Sequence, residues 1–210
     1  ALPVRAERTS VLAAARAHRG ILLVLPLQVA AEWSPDISAL AADAPEETRA
    51  AVLPVLRAGL ADPDRDTRTA AAASLASWLD GASLPPLFDV VIAAFAGKEG
   101  AAGSREALDE RDRPLLASLE RLVEGLAKGD GGDDDAIAAG VLRLGAASAV
   151  EPALKLATLA ATVGSGRIPL QASRAELLRR RAGRAGRDPE ARRADLETAF
   201  KALKYAVKAA

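Results

Sequence analysis

The sequence predicts an all-α protein, most simply a short α-solenoid of helical hairpins, with an irregular helical bundle as the alternative. Apolar residues recur at three- and four-residue spacing almost throughout, and strand-like alternation is nearly absent. Alanine and leucine dominate while aromatics make up 3% of the chain, a composition that favours closely packed helices over sheets. Proline, glycine and aspartate gather in corners that cut the chain into helix-length runs.

The first helix is expected from Thr9 to His18 or Arg19, and Gly20 ends it. A strongly apolar second helix follows from Ile21 to Trp33, bent or restarted near Pro26. A short helix covers Ile37 to Asp43, and Pro45, Glu46 and Glu47 open the next with proline and acids at its positive pole. The corner Asp62-Pro63-Asp64-Arg65-Asp66 separates this helix from an alanine-rich one. There Asp62 is the expected N-cap, with Pro63 at the first helical position and Arg68 reaching back to the aspartates. The run Ala70 to Ala73 lets a neighbour approach closely, while Leu75, Trp78 and Leu79 supply packing volume.

The same grammar continues. An apolar helix over 84–96 carries Pro85-Pro86 at its start, and residues 97–104 form a loop before a charged helix over 105–112. An amphipathic helix spans 114–128, and an alanine-rich one spans 136–144 after GDGGDDD. Another apolar helix covers 149–163, and Gly164-Ser165-Gly166 breaks the chain. Ser173 is the expected cap of an arginine-rich helix, and Asp188-Pro189-Glu190 starts the last one. A helical-hairpin array over residues 1–165 and a basic helical cap over 166–210 are the expected divisions, packed as one domain.

Corners repeat. ADPDRDTRTAAAASL begins at Ala61 and GDGGDDDAIAAGVLRL at Gly129, 68 residues or two units of 34 later, with the weaker GKEGAAGSREAL between them at Gly97. The stretch VLPVLRAGLADPDRDTRTAAAASLASWL is similar to a HEAT repeat through Pro54, Asp62, Pro63, Arg68, Ala71, Ala72 and Leu75. AAGVLRLGAASAVEPALKLA resembles the junction between successive HEAT units, with Val150 and Pro152 opening the next one. The likeness is good over 46–80 and partial over 129–163, and the corner at 129 lacks both the proline and the arginine. The resemblance implies a curved stack of hairpins that binds other macromolecules along its concave face and rarely has chemistry of its own. Some members act as bilin lyases and one branch grips alkylated DNA, but no residue here maps onto those sites.

The composition excludes several classes. With no cysteine there is no disulfide framework, thiolate metal site or catalytic thiol, and with one histidine there is no His-rich metal site. The longest apolar run, Ile21 to Ala31, is too short to span a bilayer, and no signal-peptide pattern opens the sequence. A soluble, cytoplasmic protein is the default expectation. Arginine outnumbers lysine 22 to 6 and asparagine is absent, the usage of a GC-rich coding sequence or of an engineered helical protein.

Net charge is zero overall, yet residues 1–151 carry −8 and residues 152–210 carry +8. The basic end holds Arg174, Arg179, Arg180, Arg181, Arg184 and Arg187, followed by Arg192 and Arg193. With Arg65, Arg68, Arg105 and Arg111 beside the corners, the first six form the expected contact surface for a protein partner. The same cluster supports nucleic-acid binding as an alternative, although Phe200 and Tyr205, the only rings nearby, fall at spacings that suggest core packing. His18 with the apolar segment 21–33 supports a second alternative, a cofactor- or ligand-binding helical protein.

Other constellations have plainer readings. Asp130, Asp133, Asp134 and Asp135 lack the alternation of a calcium loop and are explained by a helix N-terminus. Gly164-Ser165-Gly166-Arg167 is a loop break rather than a phosphate loop. Trp33 and Trp78 are expected core anchors. No metal, cofactor or catalytic residue is assigned, no small-molecule substrate can be identified, and the expected function is a non-enzymatic scaffold.

Overall fold

The structure is a computed structural model that describes residues 46–96, 108, 110–147, 149–164, 166–184 and 186–209. The helices expected before residue 46, His18, Trp33, Arg105 and the loop at 97–104 lie outside the described residues. Among the described residues there are eight α-helices and no strand. They are α1 Glu46–Gly59, α2 Arg65–Ser77, α3 Leu84–Ala96, α4 Arg113–Ala127, α5 Asp134–Ala146, α6 Val150–Val163, α7 Ile168–Ala182 and α8 Pro189–Ala209. The chain divides into two compact units, Ala1–Trp78 and Leu79–Ala210, so α7 and α8 belong to the second.

In the first unit α1, which contains Pro54, packs on α2. The corner between them closes differently from the expected cap. Asp64 is the N-cap of α2, and its Oδ2 accepts from the Thr67 backbone N at 2.8 Å and the Thr67 hydroxyl at 2.7 Å. Asp62 instead accepts from the Asp64 backbone N at 2.8 Å, closing a turn ahead of the helix. Arg68 reaches back to backbone rather than to carboxylates: its Nη1 donates to the Asp62 and Pro63 carbonyls at 2.7 and 2.8 Å. Carbonyls at a helix corner lack intrahelical partners, and the guanidinium supplies them. Ala70, Ala71, Ala72, Leu75 and Ala76 are buried. Trp78 is half-buried at the C-cap, with no hydrogen bond to its indole nitrogen among the described residues.

The second unit is built from α3 to α8. Sequential helices pair as α3 with α4, α5 with α6, α6 with α7, and α7 with α8, and next-but-one helices pair as α3 with α5, α5 with α7, and α4 with α6. Its core includes Phe88, Leu119, Leu122, Ile137, Leu144, Leu156, Leu170 and Leu177. Ion pairs tie the next-but-one helices: Asp89 of α3 to Arg143 of α5, and Glu120 of α4 to Lys155 of α6 at 2.7 Å. Small residues set the close approaches. A methyl group built onto Gly140 of α5 would land on the Phe88 ring of α3.

Two boundaries differ from expectation. The charged segment before α4 ends in a single 3₁₀ turn, Glu110–Asp112, in which Asp112 is buried. α7 begins at Ile168, with Pro169 in its first turn, so Ser173 lies inside the helix and is no cap. Its hydroxyl donates to the Leu170 carbonyl at 3.0 Å and is buried. Proline, which needs no backbone donor at a helix start, sets this terminus earlier than the polar residue does.

The acidic corner between α4 and α5 turns through Gly131, whose φ of 96° favours glycine. It lacks an arginine of its own, and Arg167 at the start of α7, 33 residues beyond Asp134, reaches back to it. Arg167 Nη2 donates to the Ala127 and Gly129 carbonyls, the latter at 3.0 Å, and Nη1 pairs with Asp134 Oδ1 at 2.8 Å. Asp134 is buried, and burial raises its carboxyl above the ordinary value even with Arg167 beside it. Arg167→Ala would leave a buried carboxylate and two corner carbonyls without their donor. It is expected to destabilise the chain by about 2 kcal/mol, measured by chemical denaturation at neutral pH; a change within ~0.5 kcal/mol would show that the clamp contributes nothing.

Candidate functional site

The basic end of the chain forms two structures of opposite kind, one an internal clasp and the other an exposed face. The clasp centres on Asp195, which lies on the inner face of α8 with Ala199, Ala202 and Ala206, all buried. This small-residue face packs on α7. Arg181 of α7 grips Asp195 in bidentate fashion, Nε to Oδ2 at 3.1 Å and Nη2 to Oδ1 at 2.6 Å. Its Nη1 donates to Glu151 of α6 at 2.9 Å, and Arg187 Nη2 adds a bond to Asp195 Oδ2 at 2.9 Å. The Asp195 side chain is only 6% exposed. Burial pushes its carboxyl up, but the two guanidiniums outweigh that and hold it below the ordinary carboxylate range.

Much of the remaining cluster is also engaged. Arg179 binds Glu176 through Nε and Nη2 at 2.7 and 2.9 Å. Arg180 binds Glu176 at 2.8 Å and the Leu142 carbonyl of α5 at 3.3 Å. Hydrogen bonds from Arg179, then Arg180, bring Glu176 down to about 2. Arg174 is half-buried, and its Nε, like that of Arg187, is buried without a hydrogen bond among the described residues. Arg65, Arg111 and Arg184 are engaged within the chain, and Arg68 serves the first corner. The structure therefore brings Arg181 and Arg187 together at Asp195 and ties Arg179 and Arg180 to Glu176, while Arg65, Arg68 and Arg111 stand at other corners. Arg105 and His18 are outside the described residues, as is the segment 21–33 on which the cofactor alternative also rests.

The exposed face is the outer side of α8. Leu196, Phe200, Leu203 and Val207 are 45, 67, 46 and 77% exposed, and Tyr205 is 54% exposed. The sequence suggested that Phe200 and Tyr205 pack inward; instead the alanines of the same helix take the inner face. Asp188 caps α8 by accepting from the Ala191 backbone N at 2.9 Å. An open groove of about 530 Å³ runs along the first half of the helix, lined by Pro189, Arg192, Leu196 and Phe200 among others. Arg192, Arg193, Lys201, Lys204 and Lys208 are exposed on the same helix with two exposed acids, Glu190 in the first turn and Glu197 near the middle. Arg193 donates to Glu197 Oε1 at 2.9 Å.

Asp195, Glu176 and Glu197 are each bound by arginine, whereas Asp188 caps α8. Among the described residues no group of three metal-ligating side chains converges, and no helix is long and apolar enough to cross a membrane. No family model, curated protein or solved structure matches the chain.

Proposed function

We propose that this chain is a non-enzymatic interaction subunit that binds another polypeptide through the outer face of α8. The observation that carries this reading is the row Leu196, Phe200, Leu203 and Val207, bulky and exposed beside a basic edge. Side chains of this size left in water on a helix already anchored by its other face are the usual mark of a docking surface. The arginines of α7 support the face from beneath by fixing α8 in place.

The supporting body is read as a short HEAT-like array. The next-but-one pairing of α3, α5 and α7, the pairing of α4 with α6 and the ion pairs along both rows favour stacked hairpins.

The test is affinity capture from native extract with the wild-type chain and with L196E/F200E. Both positions are exposed, so the variant keeps its fold, which circular dichroism checks. Proteins retained by the wild type and lost with the variant are expected; identical sets from both would overturn the reading. Arg192, Lys201, Lys204 and Lys208 favour phosphate binding as a second reading. That one requires a salt-dependent mobility shift of single- or double-stranded nucleic acid, lost when those four are neutralised.

A further inference from the structure

The exposed row on α8 has the register of a helix-pairing seam. Leu196, Phe200, Leu203 and Val207 are spaced four, three and four residues apart, the d-a-d-a positions of a heptad. The a and d positions of a coiled coil are buried by a second helix, and among the described residues no helix covers them: each keeps about half or more of its surface in water. The flanks indicate what that helix is. Glu197 and Lys204 occupy successive e positions on one edge, seven residues apart and both exposed. On the other edge the g positions Ala199 and Ala206 are buried on the side of α8 that packs on α7.

We infer that the outer row of α8 pairs with the same row of a second copy of this chain, antiparallel, with Glu197 of each copy facing Lys204 of the other. The inference deepens the interaction reading above and rests on it. In the antiparallel register Leu196 meets Val207 of the second copy and Phe200 meets Leu203, giving four layers that each set a larger side chain against a smaller one. The e edges then face one another, and one Glu-Lys repeat produces two opposite-charge contacts by symmetry. Glu197 Oε1 already accepts from Arg193, and its second oxygen serves the lysine. Arg193, the a position preceding the row, comes to lie over the C-terminal turn of the second copy's helix, where the dipole favours a cation.

A parallel pair gains none of this. It sets Arg193 against Arg193 and aims the charged e edge at the alanine g positions. Lys201 and Lys208 sit further round the helix, off the seam, where water solvates them. The seam covers two heptads and falls short of the standard interface of about 1,600 Å², so the dimer is reversible and depends on concentration.

The test uses the full chain. Sedimentation velocity across a concentration series is expected to show a monomer–dimer equilibrium that F200E abolishes. E197K and K204E should each weaken the dimer about tenfold, since each turns two attractions into repulsions, and E197K/K204E together should restore it. The chain has no cysteine, so introduced thiols report orientation without background. A mixture of L196C and V207C chains is expected to cross-link as a heterodimer. L196C alone is not, because the two positions lie eleven residues, about 16 Å, apart along the seam.

A chain that stays monomeric at every concentration overturns the self-pairing, as does efficient cross-linking of L196C alone. Binding to vesicles of phosphatidylserine and phosphatidylcholine that F200E removes, in a monomeric chain, would reassign the face to a lipid surface. If the chain is monomeric while L196E/F200E still loses captured proteins from extract, only the self-pairing falls and the interaction reading stands. A dimer indifferent to F200E refutes the self-pairing on this face, and the capture experiment then decides the interaction reading separately.

Discussion

Phe88→Ala is expected to destabilise the chain by about 4 kcal/mol, the cost of emptying a fully buried aromatic site. Phe88 is completely buried where α3 meets α5, and its ring occupies the space that a side chain at position 140 would need. Gly140→Ala should therefore cost about 2 kcal/mol through overpacking, although alanine is the better helix former. The two defects are complementary in shape. In F88A/G140A the new methyl enters the space that the ring leaves, so the double variant should lose at least ~1 kcal/mol less than the sum of the single losses. Urea unfolding of the wild type and the three variants, followed by far-ultraviolet circular dichroism, measures this. Strict additivity would show that glycine at 140 is not what admits the ring.

Arg181→Ala is expected to cost about 3 kcal/mol at neutral pH, because it strips the main partner from a buried carboxylate and leaves Asp195 with Arg187 alone. The pH dependence separates this from lost packing. In the wild type Asp195 is held below its unfolded value, so its contribution is present above the unfolded pKa and disappears as pH falls through the folded one. Glu176 behaves likewise between 4.5 and about 2. Asp134 has the opposite sign: its folded pKa is raised, so what it contributes is present in acid and lost as pH rises through that value. In R181A burial dominates at Asp195 and its carboxyl moves up. The gap between variant and wild type should then narrow as pH falls from the variant's raised value to the wild type's lowered one, and stay constant once both are protonated. Denaturation at several pH values tests this, and a constant gap would mean that the arginine acts through its aliphatic stem.

Among the described residues, the helical class and most helix limits were legible because three- and four-residue spacing and the proline corners are local signals. α6 and α8 start within a residue of the expected places, and Asp188-Pro189 marked the start of α8 correctly. The details that failed depend on partners distant in sequence or on competition between adjacent residues. Asp62 and Asp64 are both good caps, and Thr67, offering two donors to one carboxylate, decides for Asp64. Ser173 looked like a terminus, but the apolar period runs through it from Leu170 to Leu177.

The arginine cluster was visible as charge, but its use was not. Asp195 and Glu151 stand 14 and 30 residues from Arg181, and nothing local marks them as its partners. The outer row of α8 did leave a signal. Two apolar series, one of alanines at 199, 202 and 206 and one of large residues at 196, 200, 203 and 207, share a helix. Packed on α7, the helix buries one of them there, and the alanine face allows the closer approach.

That division of α8 separates two requirements that most helices meet with the same residues. The side chains that fasten it to the body and those that face outward do not overlap. If the outer series is the docking face proposed above, mutational drift along it would change recognition while leaving folding unaffected, and selection could tune the one without disturbing the other.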